Sequence, residues 1–211
     1  MGFKSLSLKY SYRTSDDDVI NDFLIPCLNY SVMYKRAAGF FSSTALVKLS
    51  QGISGLIKNN GKMQLVVSPD LRQEDIEAIK LGYEKKDDII NKRLLESIDE
   101  ELTSTQKDRL NLMINLIERG ILDIKIAILN YGVDVGMYHE KIGIMEDNEG
   151  NKIAFTGSYN ESLNSYVNNF ESLDVYTNYS QDYNRVYQKE KDFDNLWNNS
   201  TEKLKVVDFP I

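Results

Sequence analysis

The sequence is poor in the residues from which most hydrolytic and metal sites are built. One cysteine and one histidine stand in 211 residues, so no zinc site of His and Cys alone assembles within one chain, and a Ser-His-Asp triad has one histidine to draw on. Any imidazole chemistry runs through His139. Cys27 has no intrachain disulfide partner, which fits a reducing cytoplasm. No apolar run reaches about 18 residues, so nothing reads as a membrane span, and the opening residues MGFKSLSLKYSY lack the apolar core of a signal peptide. Internal repeats and low-complexity blocks are absent. With 3 Pro, 12 Gly and 42% hydrophobic residues, including 13 Tyr and 8 Phe, the composition excludes disordered and collagen-like states.

Basic charge is also scarce: 25 Lys and Arg against 32 Asp and Glu give a net charge of -7. That balance argues against nucleic-acid binding by bulk electrostatics, which needs clustered cations, but leaves room for a local basic groove. Much of the acid falls in residues 84–101 and 182–194, as mixed charge on solvated helix faces.

What the chain does contain is strands alternating with helices. Cap residues at 14–18 precede an apolar stripe through Val19, Phe23 and Leu28, a first helix bent at Pro26. Residues 34–41 read as a strand. A helix capped by Ser42 or Ser43 runs to about Lys58, and Met63 to Val67 form a buried strand. Helical periodicity fills residues 73–119, broken near Lys86 and near Thr103-Ser104 into about three helices. After Gly120 the texture changes to strands at 121–129, 135–145, 152–156 and 170–177, then a helix at 182–198. This pattern predicts an α/β sandwich on a mixed sheet, as one domain over residues 1–199, with residues 200–211 a tail or the start of a linker.

The chemistry concentrates in Tyr138-His139-Glu140-Lys141, Gly157-Ser158-Tyr159-Asn160 and Glu171. On a strand, His139 and Lys141 leave the same face about 6.5–7 Å apart. Residues 152–156 form the neighbouring antiparallel strand across a loop of turn-forming residues at 146–151. Gly157 lets the chain turn tightly and Ser158 and Asn160 emerge at the strand end. A nucleophile or base, a cation, a hydroxyl and an amide then converge as a phosphodiester requires. Glu171 on an inward face needs a partner, and the Nδ1–H of an imidazole is a natural one.

These residues resemble the signature of the phospholipase D superfamily: His-x-Lys at His139 and Lys141, then Gly-Ser-x-Asn at Gly157, Ser158 and Asn160. Glu171, eleven residues after Asn160, resembles the small bacterial nuclease branch. The segments 36–42 and 65–69 are similar to phospholipase D-like domains found ahead of DEAD/DEAH-type helicases or in restriction enzymes. Where the family often places Asp five residues after the lysine, this chain has Glu146, with Asp147 next.

The resemblance implies a phospholipase D-like α-β-α sandwich with a helical insertion around residues 73–119. It implies that His139 attacks phosphorus, that Lys141, Ser158 and Asn160 bind the phosphoryl group, and that Glu171 orients the imidazole. No metal or cofactor is required. The reaction uses two histidines, so with one per chain the active form is expected to be a homodimer whose motifs meet across a two-fold axis. The expected substrate is DNA, in a restriction or phage-defence setting, with a helicase as partner or fusion, in the cytoplasm and without membrane contact. Two alternatives stand beside it: a phosphodiesterase for phospholipid or small diesters, and a non-catalytic dimerising DNA-binding domain of a larger protein.

Plainer readings accompany each motif. Gly157 serves as a turn residue and Ser158 as the cap of a helix over 160–166. Glu171 reads as a surface strand carboxylate. Lys35 and Arg36 read as a solvated strand end, and most of the tyrosines, among them Tyr159, Tyr166, Tyr183 and Tyr187, as core or helix-face packing rather than base-stacking groups.

Overall fold

A computed structural model describes residues 2–69, 71–87, 104–129, 138–160, 162, 165 and 168–209. The middle of the expected three helices, between 88 and 103, the strand start at 135–137, and most of the expected 160–166 helix lie outside the described residues. The elements in order are β1 (Ser11–Arg13), a π-helical turn (Ile20–Leu24) running into α1 (Ile25–Tyr30), β2 (Ser31–Ala38), α2 (Ser43–Lys48), α3 (Ser50–Lys58) and β3 (Lys62–Val67). Then follow α4 (Gln73–Asp87), α5 (Ser104–Glu118), β4 (Leu122–Leu129), β5 (Ile142–Asp147), β6 (Lys152–Gly157), β7 (Ser172–Thr177), α6 (Tyr183–Trp197) and β8 (Leu204–Asp208).

The strands form one mixed sheet in the order β1-β7-β6-β5-β2-β3-β4-β8. β2, β3 and β4 run parallel to one another; every other pair is antiparallel. The parallel centre explains the continuous apolar run of β3: a strand covered on both faces has no polar side to alternate with. Leu65 and Val67 enter the larger core, with Phe23, Leu28, Ile53, Ile79, Met113 and Phe155, while Val66 enters a second core with Ala37, Ile144, Ala154, Val186 and Phe193. Helices α1 to α5 thus supply one face and α6 the other.

Four expectations change. The single helix reaching Lys58 is two, α2 and α3, meeting at Leu49. α4 and α5 pack on each other at Gly82 and Ile117 and form the crossover that parallel β3 and β4 require, which is what the expected insertion is for. The strand expected from 135 begins at Ile142 among the described residues. Leu204–Asp208, read from the sequence within a tail, pairs antiparallel with β4 as the sheet edge, and the Phe209 ring stacks on Tyr83. Among the described residues no helix is long and apolar enough to cross a membrane.

Candidate active site

Strand direction assembles the site. The C-terminal ends of β2 and β6 and the N-terminal ends of β5 and β7 lie at one end of the sheet, because β5 is antiparallel to β2 and β6, and β7 to β6. That geometry brings Gly39-Phe40, His139 to Lys141, Ser158 to Asn160 and Glu171 to one end of the fold.

His139 precedes β5 and is exposed, correcting the expectation that it lies on a strand. The main chain of Gly39 lies against it: a Cβ at position 39 would sit 3.0 Å from both Cα and Cδ2 of His139. Glycine is what allows the imidazole to rest there.

Lys141 also precedes β5, and unlike His139 it is buried. Its carbonyl accepts a 2.8 Å bond from Thr156 Oγ1 and its ammonium folds back to donate to the His139 carbonyl at 2.8 Å. Burial lowers its pKa below the ordinary lysine value; Arg36 lowers it further, and Glu171 acts in the opposite sense.

Asn160 accepts the Phe40 N–H through Oδ1 at 3.1 Å. This bond leaves the amide NH2 unengaged among the described residues and available as a donor. The Asn160 N–H donates to Ser165 Oγ at 3.2 Å, and that hydroxyl donates to Glu171 Oε1 at 3.1 Å. Asn169 Nδ2 reaches the same Glu171 oxygen at 3.0 Å. Main-chain bonds with Thr14 hold Glu171 on both sides: its N–H donates to Thr14 Oγ1 at 2.9 Å and its carbonyl accepts the Thr14 N–H at 3.0 Å. Glu171 is therefore a buried carboxylate, not a surface one. Its hydrogen-bond partners within the chain do not include His139 among the described residues.

Ser158 stands apart. It is exposed, and its hydroxyl accepts the Ser172 N–H at 3.1 Å and donates to the Ser172 carbonyl at 3.5 Å. This ties β6 to β7. Gly157 beside it keeps the strands close: a Cβ there would lie 2.1 Å from the Ser172 carbonyl oxygen, so the glycine serves close approach more than turning.

Sequence reasoning missed two residues. Arg36 is only 1% exposed, the reverse of a solvated strand end. Its guanidinium donates to the Tyr159 carbonyl and lies 5.1 Å from the Phe155 ring centroid, and its charge acts on Lys141. Ser165, fully within the core, joins Asn160 to Glu171. Lys35 is not solvated either, pairing with Asp194 at 2.7 Å and Glu190 at 3.6 Å on α6. The tyrosines divide: Tyr159 is core, whereas Tyr183 and Tyr187 are exposed on α6.

The acids at 146 and 147 have structural work. Glu146 lies 3.7 Å from Lys152. Buried Asp147 accepts the N–H groups of Phe3 at 2.7 Å, and of Glu149 and Asn151 at 2.9 Å each. Burial pushes its pKa up, but these bonds and the Asn151 amide outweigh it and hold the carboxyl below the ordinary carboxylate range.

The eight-stranded mixed sheet sandwiched between helices is the phospholipase D-like fold. Among solved structures, NucT from Helicobacter pylori aligns with a TM-score of 0.56 at 16% identity, covering 94% of this chain and 96% of that one. Nuc from Salmonella typhimurium, a phospholipase D family member, aligns with a TM-score of 0.49 at 9% identity over 94% and 96% of the two chains. No family model and no curated protein sequence matches the chain.

Proposed function

We propose that the protein is a phosphodiester hydrolase acting on DNA through a phosphohistidine, with its active site shared across a homodimer. The observation that carries this reading is the chain's one imidazole, exposed beside Gly39, with the buried Lys141 ammonium held on the His139 carbonyl and the Asn160 donor oriented by Phe40. In the reaction His139 attacks phosphorus, a P–N bond forms, and the P–O bond to the leaving group breaks. The imidazole of the second copy gives its proton to the leaving oxygen. That imidazole then takes a proton from water, which displaces His139 and regenerates both groups.

Lys141 and Asn160 bind the non-bridging oxygens, and Ser158 gives up its long bond to Ser172 to join them. Because Glu171 makes no bond to His139 within one chain, the imidazole it orients is that of the second copy. The resemblance of the sequence motifs supports a metal-independent route, a cytoplasmic restriction or phage-defence setting and a helicase partner or fusion.

Single-stranded circular DNA and supercoiled plasmid in EDTA test the claim: wild type cuts at least one of them and His139→Ala cuts neither. Both left intact by wild type, or equal cutting by the variant, ends the nuclease reading. Hydrolysis of a phospholipid or nitrophenyl diester with DNA left intact moves the substrate to lipid or small diesters.

A further inference from the structure

Directly before Glu171, Phe170 is 66% exposed, and it is not loosely held. The neighbouring residue on one side, Asn169, bonds the Glu171 carboxylate; on the other, the Glu171 main chain is bonded twice to Thr14. Thr14 Oγ1 also donates to the Asn169 carbonyl at 3.1 Å. Both flanks of Phe170 are therefore fixed while its ring faces water, an arrangement that folding alone does not reward.

The Arg13 guanidinium lies 5.1 Å from the Phe170 ring centroid. Its side chain makes no ion pair among the described residues. Arg13 pairs in register with Ser172, the residue tied to Ser158. β7, which Phe170 precedes, is two strands from β5, which His139 precedes; the two strands are about 10 Å apart across the sheet, a span of about three stacked nucleotides.

We propose that Phe170 and Arg13 form a base-stacking shelf that receives an unpaired nucleobase flanking the cleaved phosphodiester, making single-stranded nucleic acid the substrate class. This rests on the phosphodiesterase reading of the neighbouring site. A base exposes its π-face only when unstacked, which selects single strands over duplex. Arg13 meets the phosphate of that nucleotide. Beside the shelf runs a cavity of about 740 Å³ lined by Tyr159, Asn169, Lys48 and Asp16 to Asp18, with Asp17 paired to Lys9. A second copy of this chain packed over the ring is the rival occupant, and a change in sedimentation mass on removing the ring identifies it.

Fluorescence anisotropy in the His139→Ala background measures binding of a labelled single-stranded oligonucleotide and of its duplex, independent of turnover. Phe170→Ala is expected to weaken the single-strand complex roughly tenfold, and more than the duplex complex. Phe170→Trp is expected to retain affinity, with its indole emission quenched on binding. Arg13→Gln is expected to reduce the salt dependence of log Kd by about one. Unchanged single-strand affinity in Phe170→Ala, or an equal loss on duplex, overturns the shelf. A change in sedimentation mass with Phe170→Ala overturns it in favour of a subunit contact. Tight single-strand binding by wild type together with no cleavage of any diester leaves the shelf standing and removes the nuclease reading.

Discussion

Two cations share the interior behind the exposed imidazole, and their proximity has a pH signature. Burial and then Arg36 make the folded protein hold the Lys141 proton less tightly than the unfolded chain does, so the ammonium is lost at a pH below the ordinary lysine value. If Lys141 must be charged to bind a phosphoryl oxygen, kcat/KM falls on the alkaline side from that lowered value. Arg36→Gln removes one of the two lowering influences and is expected to move the alkaline limb to higher pH. The same change costs about 1–3 kcal/mol of stability, because the Tyr159 carbonyl loses its charged donor. A pH profile on a small nitrophenyl diester checks the limb and urea unfolding checks the cost; an unmoved limb assigns it to another group. At this scale the sequence announced His139, Lys141, Ser158, Asn160 and Glu171 through their spacing. It did not announce Arg36, since a buried arginine is defined by a carbonyl 123 positions away, nor Ser165, one of many serines until Asn160 and Glu171 close on it.

The β5–β6 hairpin is anchored to the N-terminal segment by one carboxylate. Asp147 gathers N–H groups from Phe3, Glu149 and Asn151, and its pKa is lowered in the fold. A lowered carboxylate contributes stability that is complete above the ordinary value of about 3.9 and is lost as pH falls through the folded value. Asp147→Asn presents an NH2 where donors converge and is expected to cost about 1–3 kcal/mol at neutral pH. The gap from wild type should narrow in acid, as wild type protonates. Urea titrations at neutral and acid pH measure both, and a gap independent of pH contradicts the assignment.

Element identity was mostly legible, because β3, β4 and α6 carry their periodicity on the surface of the sequence. The start of β5 was not, because Thr156 Oγ1 rather than a ladder partner satisfies the Lys141 carbonyl. β8 was missed because Leu204-Lys205-Val206-Val207-Asp208 becomes a strand only by finding the open edge of β4.

For the molecule as a whole, one histidine per chain and the two-histidine reaction proposed above would make activity a property of the pair. Sedimentation equilibrium is expected to show a dimer, and specific nicking activity is expected to fall on dilution below its dissociation constant. Full activity in a strictly monomeric sample refutes the shared site. The sheet's boundary strands narrow how such a pair can form. One edge, β1, is three residues long, and the other, β8, carries exposed Lys205 after exposed Glu202 and Lys203. Neither offers another backbone a long uncharged border to lengthen the sheet, so the proposed dimer, joined through the loops around His139, would be a closed unit that does not grow into a fibre by adding strands.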